Sequence, residues 1–480
     1  MATAPVKIEF GTDGWRAIIA EEFTFDNVRV CAQAVAGYLQ EHGLASRGLV
    51  VGYDTRFASE RFAQAVAEVV AANGIKVALC AAPAPTPVVS YSVLDRGAGG
   101  AVIITASHNP REWNGFKYKP EYAGSASPEV VEQLESGIRD IQAGKASVMR
   151  IPLAAAQQSG MVETFDPAPP YLQQIERLLD VKRLRDAGLT VIVDSMHGAG
   201  IGYFRRILEG GTTRVIEIRD DLNPLFPGMH NPEPIGRNLD ALVDRIKVEH
   251  ADVGLATDGD ADRIGIVDER GVFVNQLQTY GLLLLYLLDV RGQRGPAVRS
   301  VTSTTMADRL GEAYGIPVIE TAVGFKYVGP VMMERNAIMG GEESGGFGFA
   351  GHIPERDAMV AGLYAIDLMV HLGRPFSGVL EYLTEKAGPS FYDRVDVTFD
   401  PAERAAILQR VADAHPASID GSAVRSVNEI DGKKFVLQDG SSLLIRFSGT
   451  EPLLRIYTET ISADRVPRIL AVGRQIAGVS

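Results

Sequence analysis

In the stretch VGLATDGDADRIGIVDERG, Val253 to Gly271, three carboxylates alternate across one short loop: Asp258, Asp260 and Asp262, with Arg263 directly after them. Carboxylates this close repel one another unless a cation neutralises them. Donors that are all oxygen suit a hard ion, Mg²⁺ or Ca²⁺. With Glu269 these aspartates also match the ligand spacing of an EF-hand loop. That loop needs Gly where Arg263 stands, however, and both flanks here read as strands rather than helices. A solvated acidic turn is the plain alternative, and the density of charge argues for metal over it. Mg²⁺ works with one or two carboxylates plus phosphate oxygens, which points to phosphoryl transfer.

A second stretch, GGAVIITASHNPREWNGFKYKP, Gly99 to Pro120, supplies a group that could carry the phosphoryl. Ala101 to Ile104 is a short apolar run that predicts a buried strand, and Asn109-Pro110 and Asn114-Gly115 are turn signals. Ser107 and His108 therefore fall on a loop at the carboxyl end of a strand, where open α/β sheets bind ligands, with Lys117 close by. A serine hydrolase is a poor reading, since no G-x-S-x-G elbow surrounds Ser107. The side chains of consecutive residues are also expected to diverge, which would keep His108 from serving as the base of a triad.

Two further stretches suit a sugar phosphate. GGEESGGFGF, Gly340 to Phe349, sets Glu342, Glu343 and Ser344 among glycines. It lacks the G-K-[ST] of a P-loop, and its carboxylates and hydroxyl suit the hydroxyls of a polyol; a flexible hairpin turn is the alternative. RFSGTEPLLR, Arg446 to Arg455, combines Arg446, Ser448, Gly449, Thr450 and Arg455, a set able to cradle a phosphate.

Elements that could position these loops are visible along the chain. GLVVGYDTR (Gly48 to Arg56), LTVIVDSMHGAG (Leu189 to Gly200) and VRSVTSTTM (Val298 to Met306) each read as a strand ending in a polar turn and entering a helix. Their spacing predicts three similar α/β domains with mixed or mainly parallel sheets, followed by a smaller C-terminal α+β domain. Boundaries are placed at 1–165, 166–271, 272–388 and 389–480. Ser127 as N-cap and Pro128 after it, with Val130, Val131, Leu134, Ile138 and Ile141 at helical spacing, predict one purely structural helix. DDLNPLFPGMHNPEPIG, Asp221 to Gly236, reads as a long surface loop.

A chain of 480 residues is too long for one core. With 46% apolar and 22% charged residues it has the composition of a globular protein. A net charge of −13 argues against nucleic acid or an anionic membrane as partner, so an anionic ligand needs a local basic cluster. Two cysteines, Cys31 and Cys80, build neither a disulfide framework nor a zinc site. The start lacks a signal-peptide pattern, and the most apolar run, Tyr280 to Val290, is too short to span a bilayer. A cytoplasmic protein acting on small molecules is expected, as a monomer or homodimer.

Taken together and in this order, the stretches resemble the α-D-phosphohexomutase family, which includes phosphoglucomutases and phosphomannomutases. TASHNP is similar to its phosphoserine loop, DGDADR to its metal loop, GEESGG to its sugar-specificity loop and RFSGTEP to its phosphate-binding loop. FGTDGWR resembles the N-terminal signature, whose active-site arginine is Arg16 here. NGFKY and VGFKYV resemble segments whose lysines, Lys117 and Lys326, serve proton transfer and face the substrate.

The resemblance implies a four-domain fold around a central cleft and a two-step mechanism. Phosphorylated Ser107 would phosphorylate a hexose 1-phosphate, and the resulting 1,6-bisphosphate would turn over and return its other phosphate to the serine. One Mg²⁺ per chain would be held by Ser107, Asp258, Asp260 and Asp262. Arg16, His108, Lys117 and Arg263 would serve catalysis, Glu342, Ser344 and Lys326 would bind the sugar, and the Arg446–Arg455 set would hold the distal phosphate. Glucose 1,6-bisphosphate would act as activator and intermediate. In the sugar loop, Glu343 and the absence of a histidine at Gly346 look closer to glucose-specific members, with phosphomannomutase or phosphoglucosamine mutase as alternatives. A Mg²⁺-dependent sugar phosphatase could imitate DGDAD but would have no use for Ser107.

Overall fold

In the computed structural model, which describes residues 6–447 and 453–479, the chain forms four sheets in succession. The first orders its strands Trp15–Ile18, Trp113–Pro120, Gly100–Ile104, Leu49–Tyr53, Val77–Cys80 and Val162–Phe165. The last four run parallel, and Trp113–Pro120 pairs antiparallel with Gly100–Ile104. The second sheet has the same plan. Arg214–Ile218, Thr190–Asp194 and Val253–Thr257 are parallel, and Ile264–Asp268 returns antiparallel beside the last of them. Phe273–Val274 extends this sheet past Gly271. The third repeats it with Val318–Thr321, Ala297–Ser300 and Met339–Gly341 parallel and Phe347–Phe349 antiparallel.

The strands predicted from the three βα-like stretches are the equivalent middle strands of these sheets. They are buried nearly throughout, including the polar Asp194, Arg299 and Ser300. The sheets also share a feature the sequence does not announce: each ends its parallel set in a hairpin. The hairpin turns are residues 105–112, 258–263 and 342–346, the segments that carry Ser107, the three aspartates and the GEESG residues.

The C-terminal sheet is antiparallel throughout, ordered Phe391–Thr398, Leu453–Thr460, Ser442–Phe447, Lys433–Leu437, Ser422–Asn428 and Ser418–Ile419. Its Ser442–Phe447 to Leu453–Thr460 hairpin bears the phosphate-loop sequence; Ser448, Gly449 and Thr450 lie outside the described residues.

The predicted structural helix is present as Pro128–Gln142, capped by Ser127 Oγ accepting from the N–H of Val130. The apolar Tyr280–Val290 run is a buried helix, Gln276–Leu285, that continues as a π-helical turn. Among the described residues no helix is long and apolar enough to cross a membrane.

The Asp221–Gly236 segment is a loop, as read, and is exposed over much of its length, with Leu222 and Leu225 outward, but part of it is buried. Phe226, Asn231 and Asn238 beside it are buried, because the segment folds inward over the Ser107 turn. Asn231 Nδ2 donates to the carbonyl of His108 at 2.9 Å, and the Arg56 guanidinium lies over the Phe226 ring.

Where the third and fourth domains meet, Lys434 is buried, donating to the Val301 carbonyl at 2.9 Å and pairing with Glu320 at 2.6 Å. Burial, joined by the nearby Arg299 charge, outweighs Glu320 and lowers Lys434 from its ordinary 10.5 to about 8. Below that pH both folded and unfolded chains carry the proton, and the full cost of burying the charge is present. Between about 8 and 10.5 the unfolded chain binds more protons, so this residue's contribution to stability rises with pH by about 3 kcal/mol in all. Denaturant unfolding of wild type and Lys434→Met should therefore show the stability difference moving in favour of wild type as pH is raised from 8 to 10. A pH-independent difference would contradict the assignment.

Candidate active site

Ser107 is fully buried at the first hairpin turn, in a left-handed backbone conformation with φ of 52°. That conformation is uncommon for a residue with a Cβ and marks a turn held by its surroundings. The holder is Arg56. Its guanidinium donates to the carbonyls of Ser107 and Asn109, both at 2.6 Å, of Pro110 at 2.9 Å and of Trp113 at 3.0 Å. Asp54 pairs with the same guanidinium at 3.2 Å. Five donors in a fixed plane can gather several carbonyls at once, which an ammonium cannot.

The left-handed turn also corrects the expectation that the Ser107 and His108 side chains diverge: Oγ and Nδ1 are 3.4 Å apart, a long contact. Burial, and then the charges of Arg263, Arg16 and Arg56, push His108 well below its ordinary value, so the ring is neutral. Arg16 reaches the turn from the N-terminal strand and donates to Asn109 Oδ1 at 2.7 Å.

The second hairpin meets the first directly. Ser107 Oγ donates to Asp258 Oδ2 at 2.8 Å. A Cβ at Gly259 would collide with the Ser107 carbonyl oxygen, so this close approach requires glycine there. Asp258, Asp260 and Asp262 are all buried, and one oxygen from each lies within 4.8 Å of the others. Burial together with the neighbouring Asp260 and Asp262 pushes Asp258 well above the carboxylate range. Burial acts the same way on Asp260, but the Lys117 ammonium outweighs it and holds that carboxyl low.

Lys117 Nζ sits 2.7 Å from Asp260, 3.1 Å from Asp262 and 2.6 Å from Asp13. Burial disfavours its charge, yet these three carboxylates hold it protonated well above its ordinary range. Among the described residues, Asp260 Oδ1 and Asp262 Oδ1 remain buried without a hydrogen-bond partner. Unpartnered carboxylate oxygens in so tight a cluster, beside a serine hydroxyl, are an all-oxygen donor set that fits a hard divalent ion such as Mg²⁺.

The third hairpin closes the arrangement. Glu342 is buried and accepts from the N–H of Gly324 at 2.9 Å, which ties the sugar-loop sequence to the VGFKYV segment. Burial raises the Glu342 carboxyl against the opposing charges of Arg356 and Arg263. Lys326 donates to the Gly11 carbonyl at 3.2 Å, and Ser344 is partly exposed on the same turn as Glu342. Arg356 links all three hairpin-bearing domains, pairing with Asp262 at 2.9 Å, with Glu355 at 3.0 Å and with Asp13. Its side chain also explains Gly346: a Cβ at that position would run into Arg356 Cδ and Cγ. Arg446 and Arg455 face each other across the fourth hairpin as strand partners.

Sequence reading did not single out Arg56, Asp13, Arg356 or Asn231. Arg56, Asp13 and Asn231 lie inside stretches with a recognisable pattern and Arg356 lies just beyond one, but each acts on residues far away in the chain, a relation no local motif carries.

Comparison with known proteins agrees with this arrangement. The descriptions phosphoglucomutase/phosphomannomutase alpha/beta/alpha domains I, II and III match residues 7–145, 169–271 and 276–387, and the C-terminal domain of that family matches 397–472. The chain is 30% identical to a phosphoglucomutase/phosphomannomutase of Thermococcus kodakarensis over 97% of each chain. It is 29% identical to a phosphoglucosamine mutase of Anaeromyxobacter dehalogenans, again over 97% of each. A crystal structure from Thermus thermophilus, of a protein to which phosphomannomutase activity is ascribed, superposes with a TM-score of 0.85 at 33% identity, covering 99% of this chain and 100% of that one.

The four-domain α/β fold and these matches make the chain a member of the phosphoglucomutase/phosphomannomutase family. It is therefore an enzyme of the isomerase class, a phosphohexomutase.

The Arg56 clamp is directly testable. Arg56→Lys keeps the charge but cannot reach four carbonyls, and it should lower kcat/KM for hexose phosphate by roughly 10-fold or more, the loss expected when a charged donor leaves buried acceptors unmet. Unchanged kinetics would show that the turn holds itself.

Proposed function

We propose that the protein interconverts hexose 1-phosphate and hexose 6-phosphate, with glucose as the preferred sugar, through a phosphoserine at Ser107 and a 1,6-bisphosphate intermediate. The observation that carries this reading is the Ser107 hydroxyl, buried and 2.8 Å from one of three clustered aspartates. In the first half-reaction the bond between phosphorus and Ser107 Oγ breaks and a bond to the sugar O6 forms. The O6 proton passes to the enzyme. Of the two groups assigned to acid/base work, His108, whose pKa is lowered, is the one able to accept it, and Lys117, held protonated, stands beside it as a cation and potential acid. In the second, the phosphoryl on O1 moves to Ser107 Oγ and the proton returns.

Asp258, Asp260, Asp262 and Ser107 would hold Mg²⁺, which when bound neutralises charge on the transferring phosphoryl group. Arg16 and Arg263 bring positive charge to the same turn, supporting a role in binding the reacting phosphate. Glu342, Ser344 and Lys326 would bind the sugar, and Arg446 and Arg455, with Ser448, Gly449 and Thr450, the phosphate at rest. The preference for glucose is supported by Gly346. Arg356 fills the space beside it, and the loop has no histidine there.

A ³¹P NMR time course tests the reading. Enzyme, Mg²⁺ and a trace of glucose 1,6-bisphosphate should convert glucose 1-phosphate to the 6-phosphate faster than the mannose or glucosamine analogues. Ser107→Ala should abolish this conversion. Chelation with EDTA should stop it, and added Mg²⁺ should restore it. Release of inorganic phosphate alone would identify a phosphatase and overturn the proposal; a faster reaction with mannose or glucosamine would correct the sugar.

A further inference from the structure

The C-terminal domain carries its own apolar core, built from Phe435, Leu443, Ile445, Leu454, Ile456 and Ile469. Among the described residues, its apolar contact with the third domain is a small cluster of Val301, Leu444 and Tyr457, with Val323 and Tyr392 at the margin. So little shared apolar surface leaves polar contacts to set how the domain sits. Two of these contacts end at the loops assigned to the substrate.

The first starts at Glu343, the middle residue of GEESG. Glu343 Oε1 accepts from Tyr392 OH at 2.7 Å and pairs with Arg394 at 3.2 Å. Arg394 pairs in turn with Asp396 at 3.0 Å, and Asp396 lies 3.9 Å from Arg455. The second starts in VGFKYV. The N–H of Val323 donates to Asp431 Oδ2 at 3.0 Å, and Asp431 Oδ1 pairs with Arg446 Nε at 2.9 Å. Arg446 and Arg455 are cross-strand partners at the base of the phosphate-loop hairpin. Each arginine of that hairpin is thus joined through carboxylates to a different loop of the third domain.

We propose that Glu343 and Asp431 are positioning residues that couple occupation of these two loops to the setting of Arg455 and Arg446. The proposal rests on the mutase reading and refines it. Glu343 occupies the variable position of the sugar loop, yet its carboxylate is engaged by the C-terminal domain. Its contribution is then to fix where the distal phosphate is held, at equal benefit to every hexose phosphate. A sugar-reading residue at the same place would favour one hexose over another. Coupling of this kind is a difference in interaction energy between two sites and is reciprocal.

Kinetics of Glu343→Gln, Arg394→Gln, their double variant and Asp431→Asn test it, with thermal melts to confirm folding. Each single variant should raise KM by about 5-fold, within the usual range of such couplings, and by the same factor for glucose, mannose and glucosamine 1-phosphates, with kcat little changed. The Glu343→Gln/Arg394→Gln pair should cost no more than either alone, because both cut one connection. Unchanged KM, multiplicative losses in the pair, or a sugar-dependent change would each overturn the coupling. A folded wild-type protein with no turnover on any of the three sugars is a different failure, that of the mutase reading itself.

Discussion

Three carboxylates cannot share a buried loop without positive charge beside them, and the meeting of the first three domains is organised around that demand. Asp258, Asp260 and Asp262 are taken out of water at a cost that only close cations and hydrogen bonds repay. Lys117 supplies one charge from the first domain and Arg356 another from the third, while Arg263 follows the aspartates directly. Asp13 then balances Lys117, Lys119 and Arg356, and Glu355 balances Lys119 and Arg356. The same charges that keep the aspartate loop buried therefore pin three domains to one another. The unpartnered Asp260 and Asp262 oxygens show where the balance is still open to a divalent ion.

This arrangement depends on a repeated piece of topology. In each of the first three sheets the chain leaves a parallel strand, turns, and returns antiparallel beside it, and the turn carries candidate site residues: Ser107, the three aspartates, and Glu342 with Ser344. The fourth sheet places the phosphate-loop sequence at a hairpin as well. Turns at the carboxyl ends of strands are where open α/β sheets accept ligands. Repeating the plan lets the first three domains bring three short polar segments together, Ser107 meeting Asp258 and Arg356 pairing with Asp262 and Asp13. Rigid strands on either side of each turn fix side chains more firmly than a long loop could.

Much of this was legible in the sequence because the chemistry is locally written. The three aspartates are two residues apart, Ser107 follows an apolar run, and Arg446 and Arg455 bracket a Ser-Gly-Thr sequence. The middle strands of the three sheets and the Ser127-capped helix could be read from periodicity and capping. What could not be read is contact across long separations: Arg56 to Ser107 spans 51 residues, Asn231 to His108 spans 123, and Arg356 to Asp13 spans 343. The Pro- and Gly-rich segment before Gly236 is exposed over much of its length, with Leu222 and Leu225 outward, but Phe226 and Asn231 turn in against the Ser107 turn, which its composition does not signal. The approach of His108 to Ser107 was hidden for a different reason. It depends on a positive φ at a serine, which residue type alone does not signal.

The central claim is that Ser107 carries the phosphoryl group. The direct measurement is mass spectrometry of the Ser107-containing peptide after the dephosphorylated enzyme is mixed with glucose 1,6-bisphosphate and Mg²⁺, and again after a chase with excess glucose 6-phosphate. The account predicts a phosphoryl group on Ser107 in the first sample and its loss, with regeneration of the bisphosphate, in the second. Turnover without a phosphoryl group on Ser107, or with one on another residue, would contradict it.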